Sequence, residues 1–451
     1  MLLAMMLSTA LIAVDATILA TAVPSIVADL GGFAEFPWLF SVYLLAQAVS
    51  VPVYGKLADL FGRKPVMLFG IGLFLLGSVL CGLAWSMPAL IAFRVVQGLG
   101  AGAITPVTVT IVGDLYTPAE RAKAQGYIAS VWGISSVVGP TLGGVFSEYA
   151  SWRWIFLVNV PLCLLAAAMV ARNLTERVER GSPRLDHRGV VLLTAGLTLV
   201  VLAVLEGGRS WAWASPAGIG IPVVGALVLV GCWLVERAAP EPVLPLWIFR
   251  RRLLVASGAI SAGVGAVLLG LTSYVPTYVQ VVLGYGPLVA GLALGALTLG
   301  WPIAASQAGR VYLRLGYRAC ALIGTAVVLA GAALLLLFDE RTSVWQVAGT
   351  CLVIGAGMGL TVSPTLIAAQ SSVGWGDRGV VTANNLFLRS VGSAVGVAVF
   401  GALANAVIGT GASVDPGELT TAVHRIFLVV VGLSAAMLAV ATFLPRGRVA
   451  R

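Results

Sequence analysis

Asp15 is the one carboxylate set deep within an uncharged stretch; the other 17 Asp and Glu residues sit near the ends of such stretches or between them. A lone ionised carboxylate in an apolar surrounding is costly, so such a residue pairs, takes up a proton or faces water. Burial in general favours the protonated form of a carboxyl group, so the chemistry open to Asp15 is reversible proton or cation handling. A hydrogen-bonding or Arg-paired structural Asp is the plain alternative. Arg94 lies partway into another apolar stretch. A guanidinium keeps its proton and needs an anion, a cage of carbonyls or water. If the two stretches face one cavity, Arg94 holds Asp15 ionised until a proton or a solute intervenes, and Gln97, one turn on, shares its face. The alternative is an arginine that bonds helix carbonyls. Arg389 invites the same argument later in the chain, with Asn384 and Asn385 one turn before it but no carboxylate, and a structural role is equally open there. Tyr43, Gln47, Trp132, Tyr274, Tyr278, Gln280 and Gln370 complete the candidates for the lining of a solute cavity, although aromatic stripes more often belong to a core or an interfacial belt.

Other chemistries are excluded. The three lysines are Lys56, Lys64 and Lys123, and the only Gly-Lys pair continues as Gly55-Lys56-Leu57, so there is no GxxxxGK[ST] phosphate loop. Gly98-Leu-Gly100-Ala-Gly102-Ala103 fits the letters of a dinucleotide motif, but it lies in an apolar stretch with no strand before it and reads as close helix packing. Any uphill work must then draw on an ion gradient, with no cofactor. The five cysteines all fall inside apolar runs and only two histidines exist, His187 and His424. Neither a disulfide framework nor a metal site is expected.

The elements that must position these residues follow from composition. Of 451 residues, 59% are apolar and 10% charged, against about 25% charged in soluble domains. Crossing about 30 Å of hydrocarbon takes some twenty apolar residues. Such stretches recur near 3–28, 36–54, 66–85, 88–112, 123–147, 154–171, 188–205, 216–235, 253–280, 287–308, 319–338, 345–369, 380–405 and 422–444. They are continuously apolar and lack the alternation of barrel strands, so an all-α polytopic membrane protein with 14 spans is expected. The first stretch carries Asp15 and is longer than a signal h-region, which predicts a retained span. Of 27 Lys and Arg, 21 fall on one side of these spans and four on the other, with Arg94 and Arg389 inside. This bias predicts both termini in the cytoplasm, and it explains the net charge of +9 without nucleic acid.

An internal repeat divides the chain. Gly55-Lys-Leu-Ala-Asp59-Leu-Phe-Gly62-Arg63-Lys64 is echoed by Gly309-Arg310-Val-Tyr-Leu-Arg-Leu-Gly316-Tyr-Arg318, and Pro24 and Pro276 lie at similar distances upstream. Two homologous six-span bundles, 1–172 and 253–451, are expected, with two added spans and a charged linker in 173–252. Paired bundles around a midplane site are the architecture of rocking transporters. The Gly55 to Lys64 cluster reads as a latch between bundles or as ordinary inside-positive charge. Gly139-Pro140-Thr-Leu-Gly143-Gly144 reads as a pliable, closely packed interface helix.

These residues resemble the major facilitator superfamily, and within it the fourteen-span drug:proton antiporter branch. Gly55 to Lys64 resembles the family's signature loop, Arg94-Val-Val-Gln97-Gly98 its span-4 motif linked to proton transfer, and Gly139 to Gly144 its exporter motif in span 5. Val14-Asp15-Ala-Thr-Ile with Ala22-Val23-Pro24 is similar to the branch's span-1 motif, in which the Asp is associated with coupling. Trp152 to Phe156, Asn159-Val-Pro161 and Pro245 to Arg250 fit the same branch. Ser135 stands where the span-5 motif starts with glycine, and Leu313 stands opposite Asp59, so the second loop lacks the acid. The resemblance implies a major facilitator fold in the inner or plasma membrane. It further implies a monomer whose partners are protons, lipid and a small-molecule substrate, and which exports lipophilic or cationic compounds by alternating access. A proton symporter or a lipid or metabolite exporter on the same fold is the rival. An enzyme or receptor would need a second buried carboxylate, a histidine set or a soluble domain, and the sequence offers none.

Overall fold

The structure, a computed structural model, describes residues 1–31, 38–176, 186–207, 211–238, 242, 246–408 and 416–445. Most of the charged linker and the last arginines lie outside them. The chain is helical: α1 (Leu2–Leu30), α2 (Trp38–Phe61), α3 (Arg63–Gly82), α4 (Met87–Leu115) and α5 (Pro118–Tyr149) come first. Then follow the short α6 (Trp154–Leu157), α7 (Asn159–Asn173), α8 (His187–Glu206) and α9 (Pro216–Glu236). The last six are α10 (Arg252–Thr277), α11 (Pro287–Leu315), α12 (Tyr317–Leu335), α13 (Val344–Ser371), α14 (Arg378–Ile408) and α15 (Pro416–Thr442).

Local chemistry sets the ends. Ser86 caps α4 by accepting from the Ala89 amide, Thr117 and Glu120 close a capping box on α5, and Ser343 and Gln346 do the same on α13. Gly62 and Gly316 precede α3 and α12 with φ of 97° and 87°, a backbone form that favours glycine. The repeat read from the sequence thus recurs as one turn geometry. Pro276 cannot donate within α10, and a wider five-residue π turn, Tyr278–Val282, follows it.

Among the described residues 11 helices are long and apolar enough to cross a membrane, against the expected 14. The expected spans that do not meet that measure belong to α5, α8 and α14. Each of these three helices contains residues whose side chains lie outside what is described, and the described apolar part of α8 is His187–Val200.

Glycine seams hold neighbours together. A Cβ on Gly77 would meet the Gln97 backbone at 2.5 Å, and one on Gly100 would strike Phe74; Gly357 lies as close to the Val328 amide, at 2.7 Å, in the matching α12–α13 pair. α1 to α7 pack on one another, as do α10 to α15. The two groups meet along α2 with α14 and α5 with α11, and α8 and α9 pack together against α2 and α14 through Val49, Leu193, Leu197, Cys232 and Phe387. The α5–α11 seam is tapered. Near the end that carries Met1, a Cβ on Gly126 would lie 3.1–3.2 Å from Ser306 and Pro302, and farther along one on Gly133 would lie 3.7 Å from Thr298. Gly144 on α5 and Gly295 and Gly291 on α11 continue these two stripes with nothing within 4 Å. The groups therefore close at the termini end and part toward the far end. There Asp29 accepts from Arg153 at 2.8 Å and from the Trp152 indole at 3.0 Å, and these two donors hold its carboxyl below the usual carboxylate range.

The seam geometry sets the cost of added volume. Gly100→Leu lowers the unfolding temperature of the purified protein, overpacking being worth about 1–3 kcal/mol. Gly72→Leu, at a position with nothing within 4 Å, leaves it within error. Equal thermal shifts for the two variants would contradict this packing.

Candidate functional site

Asp15 and Arg94 meet. α1 and α4 cross so that the Arg94 Nη1 donates to Asp15 Oδ2 at 2.7 Å, and both side chains are 1–2% exposed. Arg94 also donates to Gln97 Oε1 at 2.7 Å and, through Nε, to the Leu39 carbonyl at 3.1 Å. Gln97 Nε2 donates to Asp15 Oδ1 and to Ser78 Oγ, both at 2.8 Å. Asn159 at the start of α7 donates from 3.4 Å to the same two acceptors. The Tyr43 ring lies 4.1 Å under the guanidinium, a cation–π contact in a dry site. Five helices thus converge on one carboxylate. Tyr43 Oη and Asn159 Oδ1 are buried without a hydrogen-bond partner among the described residues, so the cluster holds capacity it does not use in this conformation.

Gln97 and Tyr43, expected in a solute cavity, belong instead to this buried cluster. Asn159 and Ser78 were not singled out as site residues. The Asn159-Val-Pro161 segment was a legible signal for the first, whereas Ser78 carries no signal beyond a serine in a helix.

A second polar cluster closes the termini end. Asp59 accepts from the Gly379 and Val380 amides at 2.9 and 2.8 Å, so its charge sits on the unsatisfied N–H groups that open α14. Arg63 bridges Asp59 and Asp114, each at 2.9 Å, donates to the Trp375 carbonyl at 2.6 Å and stacks 3.7 Å from the Trp375 ring. Arg378 pairs with Asp114 at 2.8 Å, and Arg121 donates to Ser371. Gly55 lets α2 approach Gly379 and Ala383. Lys64 instead donates to the Ala171 carbonyl. Gln370 bonds Thr382 at 2.9 Å and reaches the Val109 carbonyl, so it is part of this closure. On the second loop Gly309 is buried, and among the described residues Arg310 donates to Gln307.

The remaining candidates divide. Asn385 is held by Ser257 and Ser261 at 2.7 and 3.1 Å, and Asn384 is buried beside it. Tyr278 packs on Phe338 and Phe427 and donates to the Asp339 carbonyl, while Tyr274 meets Phe400; both serve the core of the second bundle. Gln280 is exposed on the π turn. Gly139 presses on Thr17, whose hydroxyl donates to the Ser135 carbonyl at 2.9 Å, Gly143 is buried, and the Pro140 side chain lies outside what is described. Gln47 donates to Thr105 at 3.2 Å. Trp132 is 44% exposed, yet it sits between the α1-facing and α11-facing seams of α5, away from the exposed Tyr127, Ile134, Val138 and Val145. It therefore faces the cleft between the bundles. Arg389 is half-buried, and its guanidinium has no hydrogen bond, ion pair or ring contact among the described residues.

All five native cysteines are free and buried, so a single introduced thiol reports cleanly. Trp132→Cys reacts with a membrane-impermeant methanethiosulfonate added at the face opposite the termini, while Ser371→Cys does not. Equal labelling of both from that face would contradict a cleft closed at the termini end.

Comparison with known proteins accords with this geometry. The profile described as Major Facilitator Superfamily matches residues 5–397. The chain is 35% identical over 389 residues to Multidrug resistance protein 3 of Bacillus subtilis (strain 168), across 86% of this chain and 76% of that protein. It is 34% identical over 394 residues to Multidrug transporter protein MdtP of the same organism, across 87% and 73%. Among solved structures, the human organic anion transporter MFSD10 (TETRAN) matches 98% of each chain with a TM-score of 0.68 at 17% identity, a likeness of fold alone. With the paired bundles and apolar helices described above, these matches show that the chain belongs to the Major Facilitator Superfamily and is a multi-pass membrane transporter, not an enzyme.

Proposed function

We propose that this protein is a proton-coupled exporter of small lipophilic compounds, drugs among them, working by alternating access in the cell membrane. It acts as a monomer with 14 spans and both termini in the cytoplasm. The observation that carries this reading is the sealed Asp15–Arg94–Gln97 cluster, beside a cleft that closes at one end only. The multidrug names of the two Bacillus relatives support the direction and the substrate class.

The mechanism follows from the bonds. A proton on Asp15 cancels the charge that holds Arg94, and the guanidinium keeps only the Leu39 carbonyl, the Gln97 amide oxygen and the Tyr43 face. α1 is then free to shift against α4. Thr17, two residues beyond Asp15, is wedged by Gly139 and bonded to Ser135, so a shift of α1 is passed to α5 and its tapered seam with α11. Closing the far end would strain the Asp59 and Arg63 latch and open the cytoplasmic end, and loss of the proton there would reset the pair. Exchange results because the two conformations differ in proton occupancy. No nucleotide, metal or cofactor enters the cycle.

Reconstituted in liposomes with an imposed proton gradient, the wild type moves a lipophilic fluorescent compound against the proton flow, and Asp15→Asn abolishes that dependence. Flux in the direction of the protons would identify a symporter instead, and a fully active Asp15→Asn would place the proton site elsewhere. Asp59→Asn, which weakens the charge on the α14 N-terminus, slows transport about tenfold, in keeping with about 1–2 kcal/mol lost from a partly buried helix-end contact; an unchanged rate would argue against the latch.

A further inference from the structure

Three arginines packed among the helices are treated unequally. Arg63 and Arg94 are fully buried and each is met by a carboxylate, a carbonyl and an aromatic face. Among the described residues Arg389 on α14 has none of these, although a guanidinium at membrane depth needs an anion, carbonyls or water. Its place in the fold explains how it persists. Gly392 and Gly396 turn one face of α14 to Ala262 and Ala266 on α10, and Gly379 and Ala383 turn another to Gly55 on α2. Arg389 projects between these faces, on the side that nearer the termini carries Thr382, bonded to Gln370, and Arg378, bonded to Asp114. It stands above that closure, where the cleft opens.

Its depth can be read from the α2–α14 contact. Eight residues beyond Gly55 on α2, about 12 Å at 1.5 Å per residue, lies Gln47. About the same distance along the oppositely running α14 lies Arg389. Gln47 is half-buried and tied to Thr105, and Trp132 faces the same cleft where α5 and α11 begin to part. The cleft thus holds an uncompensated fixed cation, amide and hydroxyl groups and an aromatic wall. Neither Asp15 nor Asp59 offers it free negative charge, since each is at most 9% exposed and saturated with donors.

We infer that Arg389 is the binding group for an organic anion, a carboxylate or sulfonate on an aromatic or otherwise apolar body, with Gln47 and Thr105 beside the charged end and Trp132 against the body. This rests on the exporter reading and narrows it from lipophilic compounds in general to acidic ones. A guanidinium offers paired N–H donors matched to such oxyanions, and lysine offers only a point charge.

The test uses two fluorescent probes with the same rings, 1-anilinonaphthalene-8-sulfonate and neutral N-phenyl-1-naphthylamine, in proteoliposomes of the full chain. The wild type carries the sulfonate, and Arg389→Gln lowers the ratio of sulfonate to neutral flux about tenfold while Arg389→Lys keeps it within about threefold. An unchanged ratio in Arg389→Gln overturns the inference and leaves the exporter reading intact; movement of neither probe by the wild type overturns both. A measurement on the wild type alone covers the case in which the variants do not fold. 1-Naphthalenesulfonate slows efflux of the neutral probe at lower concentration than the similarly shaped cation 1-naphthylmethylammonium, and the reverse order overturns the inference.

Discussion

A carboxylate and a guanidinium buried together in an apolar bundle cannot be separated cheaply, and the first half of this molecule is arranged around that constraint. Breaking a buried pair by removing one partner costs about 3–5 kcal/mol, because the other charge is left without compensation. Asp15 and Arg94 satisfy it with contacts of 2.7–3.4 Å shared among α1, α2, α3, α4 and α7. The close approach of those helices depends on small residues: Gly77 and Gly100 bring α3 against α4, and Gly98 and Gly102 bring α4 against α2. The glycine run that resembles a nucleotide motif is therefore the means by which Arg94 and Gln97 reach Asp15.

The termini end is held on a different principle. Asp59 has no buried full-strength partner to itself; it shares Arg63 with Asp114 and rests its charge on two peptide N–H groups at the start of α14. Such contacts release as a set when the start of α14 moves away from α2. The second half repeats the turn, with Gly316 matching Gly62, but has Leu313 where the acid would be. One strong latch and one loop without the acid make the closure lopsided between otherwise similar halves.

Much of this was legible in the sequence, and the part that was not has a physical reason. Asp15, Arg94 and the Gly55 to Lys64 loop stood out because charge is rare in apolar stretches and each instance demands an account. The repeat stood out because glycines with positive φ tolerate few substitutes. Side-chain destination was less visible. Gln97 and Gln47 are the same residue type on adjacent helices, yet one is sealed in the ion-pair cluster and the other faces the cleft, a difference fixed by helix rotation of a fraction of a turn. Tyr278 looked like a cavity aromatic, but the π turn after Pro276 rotates it into the Phe338 and Phe427 stack.

Arg94 and Arg389 show why residue type alone does not assign a role. Both are arginines within apolar helices with an amide side chain about one turn away, Gln97 after Arg94 and Asn385 before Arg389, but what surrounds each differs in kind. Arg94 is desolvated and its valences are filled from within one bundle, so in the proposed cycle it responds only to a change on Asp15, and a proton is the one ligand small enough to deliver that change. Arg389 has no such partner among the described residues, so in the proposed reading its compensation comes from outside the fold, as the charged end of an organic anion. A closed pair that only a proton can perturb and an open cation that a solute can reach sit in different halves of the same molecule. Coupling between them then needs no direct contact, because α5 links α1 to α11 and the cleft between the bundles is shaped by both.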